Sequence, residues 1–349
     1  MAKSITIESG SILIGNPICV RVVSENVGSK ATFHRVKLTV EAILSSELEG
    51  ETFELSATAG DSEAIVFDVS DALRTAAGKY KFAPVTAKKT FPFIKYKLSA
   101  HDEYMIDGIL KEKVGVREYA STLNALMGAF TDIERYLAGD TKTLNAFSRK
   151  PEDGEVCSSD ETVVYPIGGN YGYTVSSTLT EGPSVGVVSL GGKSGMQQIG
   201  GRNVYVDPNA ENRIQFQFVN GLGVIESVSA ETLETLSTEG SNENYSITAP
   251  SGFGSVNRLF VRKSGRRPTF KCSTGNVSKE WAAWWHDEFL GSDNFRRMLP
   301  ESCWVKISGH WIPCAVYTEE DLTIFDRTKS DMIHIDFTVA LSIDGMPFI

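Results

Sequence analysis

The 349-residue chain lacks most of the signatures by which a sequence announces chemistry. Its five cysteines, Cys19, Cys157, Cys272, Cys303 and Cys314, are scattered and include no CxxC. The five histidines, His34, His101, His286, His310 and His334, stand at no zinc-site spacing from them. Free buried thiols in a reducing compartment are the expectation. Cys303 and Cys314 are spaced so that they can face each other across a hairpin, although free thiols are the expectation there too. HExxH and GxSxG are absent, and "GGNYGY" and "GGKSG" lack the GxxxxGK[ST] spacing of a phosphate loop, so they read as β-turns or surface loops. No apolar run approaches the ~20 residues of a membrane span. The opening MAKSITIESGSILIG alternates apolar with polar residues, where a secretory signal needs an unbroken apolar core of about 7–15. We therefore expect no membrane association, and a protein made and kept in a cytoplasm or leaving it without secretion.

Positive charge is also short. Lys and Arg number 34 against 44 Asp and Glu, a net charge of −10 and a pI near 5.2. Phosphate backbones are bound with Lys and Arg, so this balance argues against a nucleic-acid partner. The one basic run, "VRKSGRRPTFK" with Arg262, Lys263, Arg266, Arg267 and Lys271, reads as a solvated strand–turn–strand. The expectation is no catalytic residues, no metal site and no cofactor, hence not an enzyme.

What is present is alternation. Hydrophobic residues make up 41% and charged residues 22%, enough for a sizeable core. "FHRVKLTVEAIL" alternates through Val36, Leu38 and Val40. "RIQFQFVN" sets Ile214, Phe216 and Phe218 against Arg213, Gln215 and Gln217, and "MIHIDFTVALSI" turns Ile333, Ile335, Phe337, Val339 and Leu341 inward. These are half-buried antiparallel strands. The 31 glycines collect in turns. Three stretches read as helices. "FDVSDALRTAAG" has Asp68 or Ser70 as cap and Gly78 as stop. "EYASTLNALMGAF" and "FTDIERYLAG" make a helical region around 118–139. "KEWAAWWHDEFLG" is capped by Ser278, with Gly291 at a left-handed terminus. The fold class is mainly β with a few short helices. It is divided into multidomain β-sandwich or barrel-like modules plus a small C-terminal α+β unit: a β-rich domain at 1–110, a helical insertion and linker at 111–165, a β-rich domain at 166–260 and the α+β domain at 261–349.

Trp281, Trp284, Trp285 and Phe289 fall at helical spacing and form one apolar face. They are candidates to anchor a core or, where exposed, a subunit interface. His286, Asp287 and Glu288 flank that face and point elsewhere. Neighbouring carboxylates diverge too far on a helix to bracket one substrate bond. A second triplet, His101-Asp102-Glu103, lies towards a strand end. A two-site metal centre built from both triplets is the weakest of the readings. Tyr171, Tyr173 and Tyr205, with Tyr165, lie in glycine-rich β segments and offer an alternative, stacking on the sugars of a bound glycan.

The order of elements through "IQFQFVNGLGVIESV", "PTFKCSTGNVSKEWAAWWHDEFLGSDN" and "CWVKISGHWIPCAVYTEEDLTIFDRTKSDMIHIDFTVALSIDG" is similar to a known group, and "GNPICVRVVSE", "HRVKLTVEA" and "FDVSDALR" fit the same pattern. It resembles uncharacterised proteins encoded in genomes and prophages of gut Bacteroidetes, some of which look like phage tail or other virion components. The resemblance spans most of the chain as a rhythm of strands and a helix, without a fingerprint motif. It implies a bacteriophage structural protein of a tail, baseplate or head–tail assembly, located in the virion and assembled in the host bacterial cytoplasm. Its partners would be copies of itself and other virion proteins, with no catalytic residues to carry over. The alternative is a glycan-binding module or adhesin of a Bacteroidetes cell or phage.

Overall fold

The computed structural model describes residues 5–24, 30–59, 64–131, 134, 143–144, 147–169, 171–210, 212–233, 237–239, 242–251, 254–263, 267–291, 302–318 and 332–342. The fold is mainly β, as the alternation predicts, with several antiparallel sheets and two short α-helices among the described residues.

A five-stranded sheet runs in the order β4 (Glu51–Thr58), β3 (Ala31–Leu44), β7 (Ile94–Ile106), β8 (Ile109–Glu118), with β9 (Leu123–Ala125) on the opening residues of β7. β1 (Ile5–Gly10), β2 (Ile18–Val23) and β5 (Ala64–Asp68) form a second sheet, followed by α1 (Ser70–Ala77). Val36, Leu38, Val40, Ile18, Val20 and Val22 are fully buried in the core shared by these sheets. In a third sheet β14 (Ser184–Ser189) lies between β12 (Thr162–Ile167) and β6 (Lys89–Thr90). In a fourth, β16 (Arg202–Asp207) lies between β15 (Gly195–Ile199) and β11 (Glu155–Ser158), the last pairing in parallel. Three two-stranded pairings join β10 (Thr143–Leu144) with β13 (Tyr171–Gly172), β20 (Asn242–Ser251) with β21 (Gly254–Lys263), and β23 (Val277–Ser278) with β26 (Met332–Ile333).

The largest sheet is β18 (Ile225–Thr232), β17 (Arg213–Val219), β24 (Cys303–Ile307), β25 (His310–Tyr317), β27 (Asp336–Leu341), β22 (Arg267–Ser273) and β19 (Ser237–Glu239). β18 also pairs with β22, Glu231 opposite Ser273, which closes six of the strands into a barrel. Its apolar core holds Phe216, Phe218, Val228, Phe270, Phe337, Val339 and Leu341, and α2 (Lys279–Trp284) and the π-helical turn Trp285–Leu290 pack against it by their apolar face. These sheets cross the borders expected at 110, 165 and 260, because β6 joins β14 and the barrel takes β17 and β18 from one side of residue 260 and its other paired strands from beyond it.

Two helical expectations are corrected. Residues 118–131 are not helical: β8 ends in them and β9 pairs with β7. Leu123, Leu126 and Met127 mimic helical spacing, but Gly128 takes a φ of 110° and breaks the turn. Most of "FTDIERYLAG" lies outside the described residues. The third helix does start at Ser278, whose hydroxyl accepts the Trp281 N–H, but Gly291 has φ −112° and is not left-handed. α1 is stopped at Gly78 as expected, though that glycine stays right-handed, but its cap is Val69 and not Asp68 or Ser70; Asp68 accepts the Ser70 N–H from one residue before the cap.

The polar face of "RIQFQFVN" is the larger departure. Alternation predicts that Gln215 and Gln217 are wetted, yet both are buried, on the outer wall of the barrel and beneath the rest of the chain. Each offers its amide as a substitute peptide group. Gln217 accepts the Val85 N–H at 2.7 Å and donates to the Val85 carbonyl at 3.0 Å. Gln215 makes the same pair of hydrogen bonds to Thr162, and Ser227 on β18 accepts the Val164 N–H and donates to its carbonyl. Thr162 and Val164 are alternate residues of β12, an outer strand of its sheet, so that strand's free edge is satisfied by side chains of the barrel wall.

Replacing Gln217 by Ala strands both backbone groups of buried Val85. The expected loss in urea unfolding is about 3 kcal/mol, from two unsatisfied buried groups. A loss below about 1 kcal/mol would show that water replaces the amide freely.

Candidate functional site

The tryptophan-rich helix is the first candidate. Trp281, Trp284, Trp285 and Phe289 are all buried, so none is left exposed to mark a docking face. Their rings meet edge to face, with centroids 4.9–5.6 Å apart between successive members, and Phe289 packs on Phe216, Phe218 and Phe337 of the barrel core. Trp281 donates its indole N–H to the Asp153 carbonyl. Lys150, itself buried, lies over the rings of Trp281 and Trp284 and bonds both Glu155 and the Ser227 carbonyl. The helix is thus the seat on which the 147–156 segment docks.

His286 is half-buried and Asp287 exposed, and the two are bonded to each other at 2.7 Å. Glu288 departs from the sequence reading, which sent it elsewhere with them: it is buried. The switch to i→i+5 bonding at Trp285 packs more residues into each turn, and brings Glu288 towards the apolar side. There it pairs with Arg149 and accepts the Gly221 N–H at 2.8 Å. Arg149 also holds Glu134 through two nitrogens and donates to the Ala129 carbonyl. Burial would lower the guanidinium pKa, but Glu134 and Glu288 raise it well above its ordinary value. The segments that Arg149 joins touch backbone to backbone. Gly128 and Gly223, both at positive φ, leave no room for a Cβ against Leu222 and Met127.

The second triplet is on β7, in the five-stranded sheet. Asp102 is fully buried between His34 Nε2 at 2.8 Å and Arg117 Nη2 at 2.5 Å. Arg117 donates as well to the carbonyl of Gly115, a positive-φ residue in the irregular β7–β8 register. Glu103 binds Arg35 and Lys37. Its carboxyl is raised by burial but lowered more by those hydrogen bonds and charges, and ends below the ordinary range. The two triplets therefore have different ionic partners on different elements. Among the described residues no three or more His, Cys, Asp or Glu side chains are arranged to hold a metal ion.

The tyrosines are placed as follows. Tyr171 borders a groove of about 320 Å³ with Ile12, Ser176, Thr178, Leu179, Thr180 and Glu181. Its hydroxyl donates to the Gly182 carbonyl, Phe147 meets its ring at right angles, and Gly169 lies so close to the ring that a Cβ there would overlap it. Tyr173 stacks on Phe130 with centroids 4.5 Å apart. Tyr165 is covered by Gly186 and Gly200. Tyr205 is exposed on β16, opposite exposed Met196. Ring surface available to a sugar is thus found at Tyr205 more than at Tyr171 or Tyr173.

Sequence reasoning missed the polar residues at the barrel wall: half-buried Arg149 and buried Lys150, Asn220 and Glu226. Asn220 donates to Glu226 and the Phe147 carbonyl, and accepts from the Leu222 and Val224 amides. Glu226 is wholly enclosed and its carboxyl is raised, by burial first, against the pull of Arg202 and Lys150. Glu161, bonded to Ser229, is raised by burial too. The available signal was polar residues confined to apolar strands beside "NGLG", which reads equally well as a wet face.

Comparison with protein-family models, curated proteins and solved structures finds no match to this chain.

Two outcomes follow from the charges. Asp102→Asn leaves Arg117 buried without its counter-ion, and should cost about 3–5 kcal/mol in denaturant unfolding; a cost below about 1 kcal/mol would mean that the cluster is solvated. For Glu226 the folded carboxyl binds its proton more tightly than the unfolded one. Stability is therefore lost as pH rises from the ordinary carboxyl value through the raised one. Glu226→Gln should gain on the native chain as pH goes from about 5 to about 8, read from urea midpoints; a variant that falls further behind at the higher pH would contradict this.

Proposed function

We propose that the chain is a structural protein acting by oligomeric assembly, of the phage tail or baseplate kind that the sequence resemblance implies. The observation that carries the reading is the β20–β21 hairpin. It continues from the β19–β22 pair at the barrel, with Glu239 opposite Arg267 and then Asn242 opposite Lys263. Ten residues per strand make an arm about 33 Å long. Among the described residues neither strand pairs with any other. A two-stranded ribbon is marginal in water without a third strand or a packed face. Its register sets Tyr245 opposite Phe260 and Asn244 opposite Val261, neighbouring positions on opposite faces, so apolar residue types occur on both. A neighbouring subunit supplies the missing partner. The buried charges support the same reading, since Lys150, Arg149, Asp102 and Arg117 are engaged in holding segments of the chain together.

Because Glu239 and Arg267 are already paired, a short Gly-Ser link can replace 240–266 without opening the barrel. The full chain should sediment as a concentration-dependent oligomer, and the linked variant as a monomer with an unchanged unfolding midpoint. A full chain that is monomeric at every concentration and missing from purified particles would overturn the proposal.

A further inference from the structure

The barrel contains two thiols in contact. β24 and β25 are joined by the two-residue turn Ser308–Gly309, with φ 48° and 81°. This is the hairpin turn whose twist suits the flanking strands, and it fixes the register. Ile307 and His310 flank it, then Val305 faces Ile312 and Trp304 faces Pro313. Hydrogen-bonded and non-bonded pairs alternate from the turn. Pro313 falls at a non-bonded position, where its missing N–H costs no ladder bond. Cys303 and Cys314 come one residue beyond Trp304 and Pro313, where the alternation, if continued, would set a hydrogen-bonded pair. Cα atoms there stand about 5.5 Å apart, within the span a disulfide bridges. The sulfurs are 3.7 Å apart, and both side chains are buried in the barrel core.

We propose that Cys303 and Cys314 are a redox pair that closes to a disulfide inside the barrel. Closing the sulfurs from 3.7 Å to a bond takes rotation about the Cα–Cβ bonds and a small approach of the two strands, because opposed Cβ atoms here stand wider than a disulfide prefers, with no change in strand register. With hydrogen peroxide as oxidant, one thiol is oxidised to a sulfenic acid as the peroxide O–O bond breaks and one water leaves. The second sulfur then attacks the first, and the sulfenic oxygen departs with the second thiol's proton as another water. Two thiols lose two electrons and two protons, and one peroxide becomes two waters. Burial makes the reaction slow, limited by opening of the wall. β24 is also bonded to β17, and β25 to β27, so the link staples the middle of the barrel. A chain folded in a reducing interior holds the thiols, and gains the link after leaving it.

The test uses the full chain, purified reduced and incubated with hydrogen peroxide, then alkylated in denaturant and mapped by mass spectrometry without reductant. The expected product is one crosslinked species joining the Cys303 and Cys314 peptides, two mass units lighter than the reduced pair. Cys157 and Cys272 should remain alkylatable. The thermal midpoint should rise by a few degrees and return on adding dithiothreitol, and a Cys314→Ala chain should show no rise. Five alkylatable thiols after treatment would overturn the proposal, as would a crosslink to any other cysteine. The mapping is done on the native sequence, so its outcome holds even where the alanine variant folds poorly.

Discussion

The chain is held together by side chains that act as backbone. Gln215, Gln217 and Ser227 each present a donor and an acceptor to one residue of another segment, and so satisfy peptide groups that would otherwise be buried without partners. A glutamine amide has the polarity of a peptide group and the reach to cross between layers, which explains its place on a wall that must meet another segment's backbone. An apolar wall could pack as tightly, but it would leave the Val85, Thr162 and Val164 groups stranded, at about 1–3 kcal/mol for each. Among the described residues this face is one of the places where the barrel is coupled to the other sheets.

Ionic contacts reinforce the same seam. Arg149 joins the 129–134 segment to the barrel helix, and Lys150 joins Glu155 to β18 while lying on two indole rings. Buried pairs of this kind add little net stability over apolar packing but are costly to break, so they fix which segment docks where. The carboxyls divide by environment. Glu103 and Glu134, lowered by their cationic partners, stabilise the fold above the ordinary carboxyl range and lose that contribution as pH falls. Glu161 and Glu226, raised by burial, act in the opposite sense as pH rises.

Much of this was legible in the sequence. Period-two alternation placed β3, β17 and β27, and the spacing of Cys303 and Cys314 fits the hairpin of β24 and β25. The tryptophan spacing correctly put Trp281, Trp284, Trp285 and Phe289 on one buried side. What was not legible depended on tertiary contacts. Alternation shows that Gln215 and Gln217 share a face, but not that another layer covers it. Glu288 turned inward because of a π-turn, which has no local signal. Residues 118–131 carried a helical spacing of leucines, and the glycine that overrides it, Gly128, is required by its contact with Leu222, almost a hundred residues away.

Under the assembly role proposed above, coupling between the layers would let the arm bear load against a neighbour. That coupling is measured most directly by native-state amide hydrogen exchange at Val85, Thr162 and Val164. Their amides should exchange as slowly as those of β17, because they are released only when the barrel wall opens globally. Fast exchange at these three residues while β17 stays protected would show that the side-chain bonds do not hold the layers together.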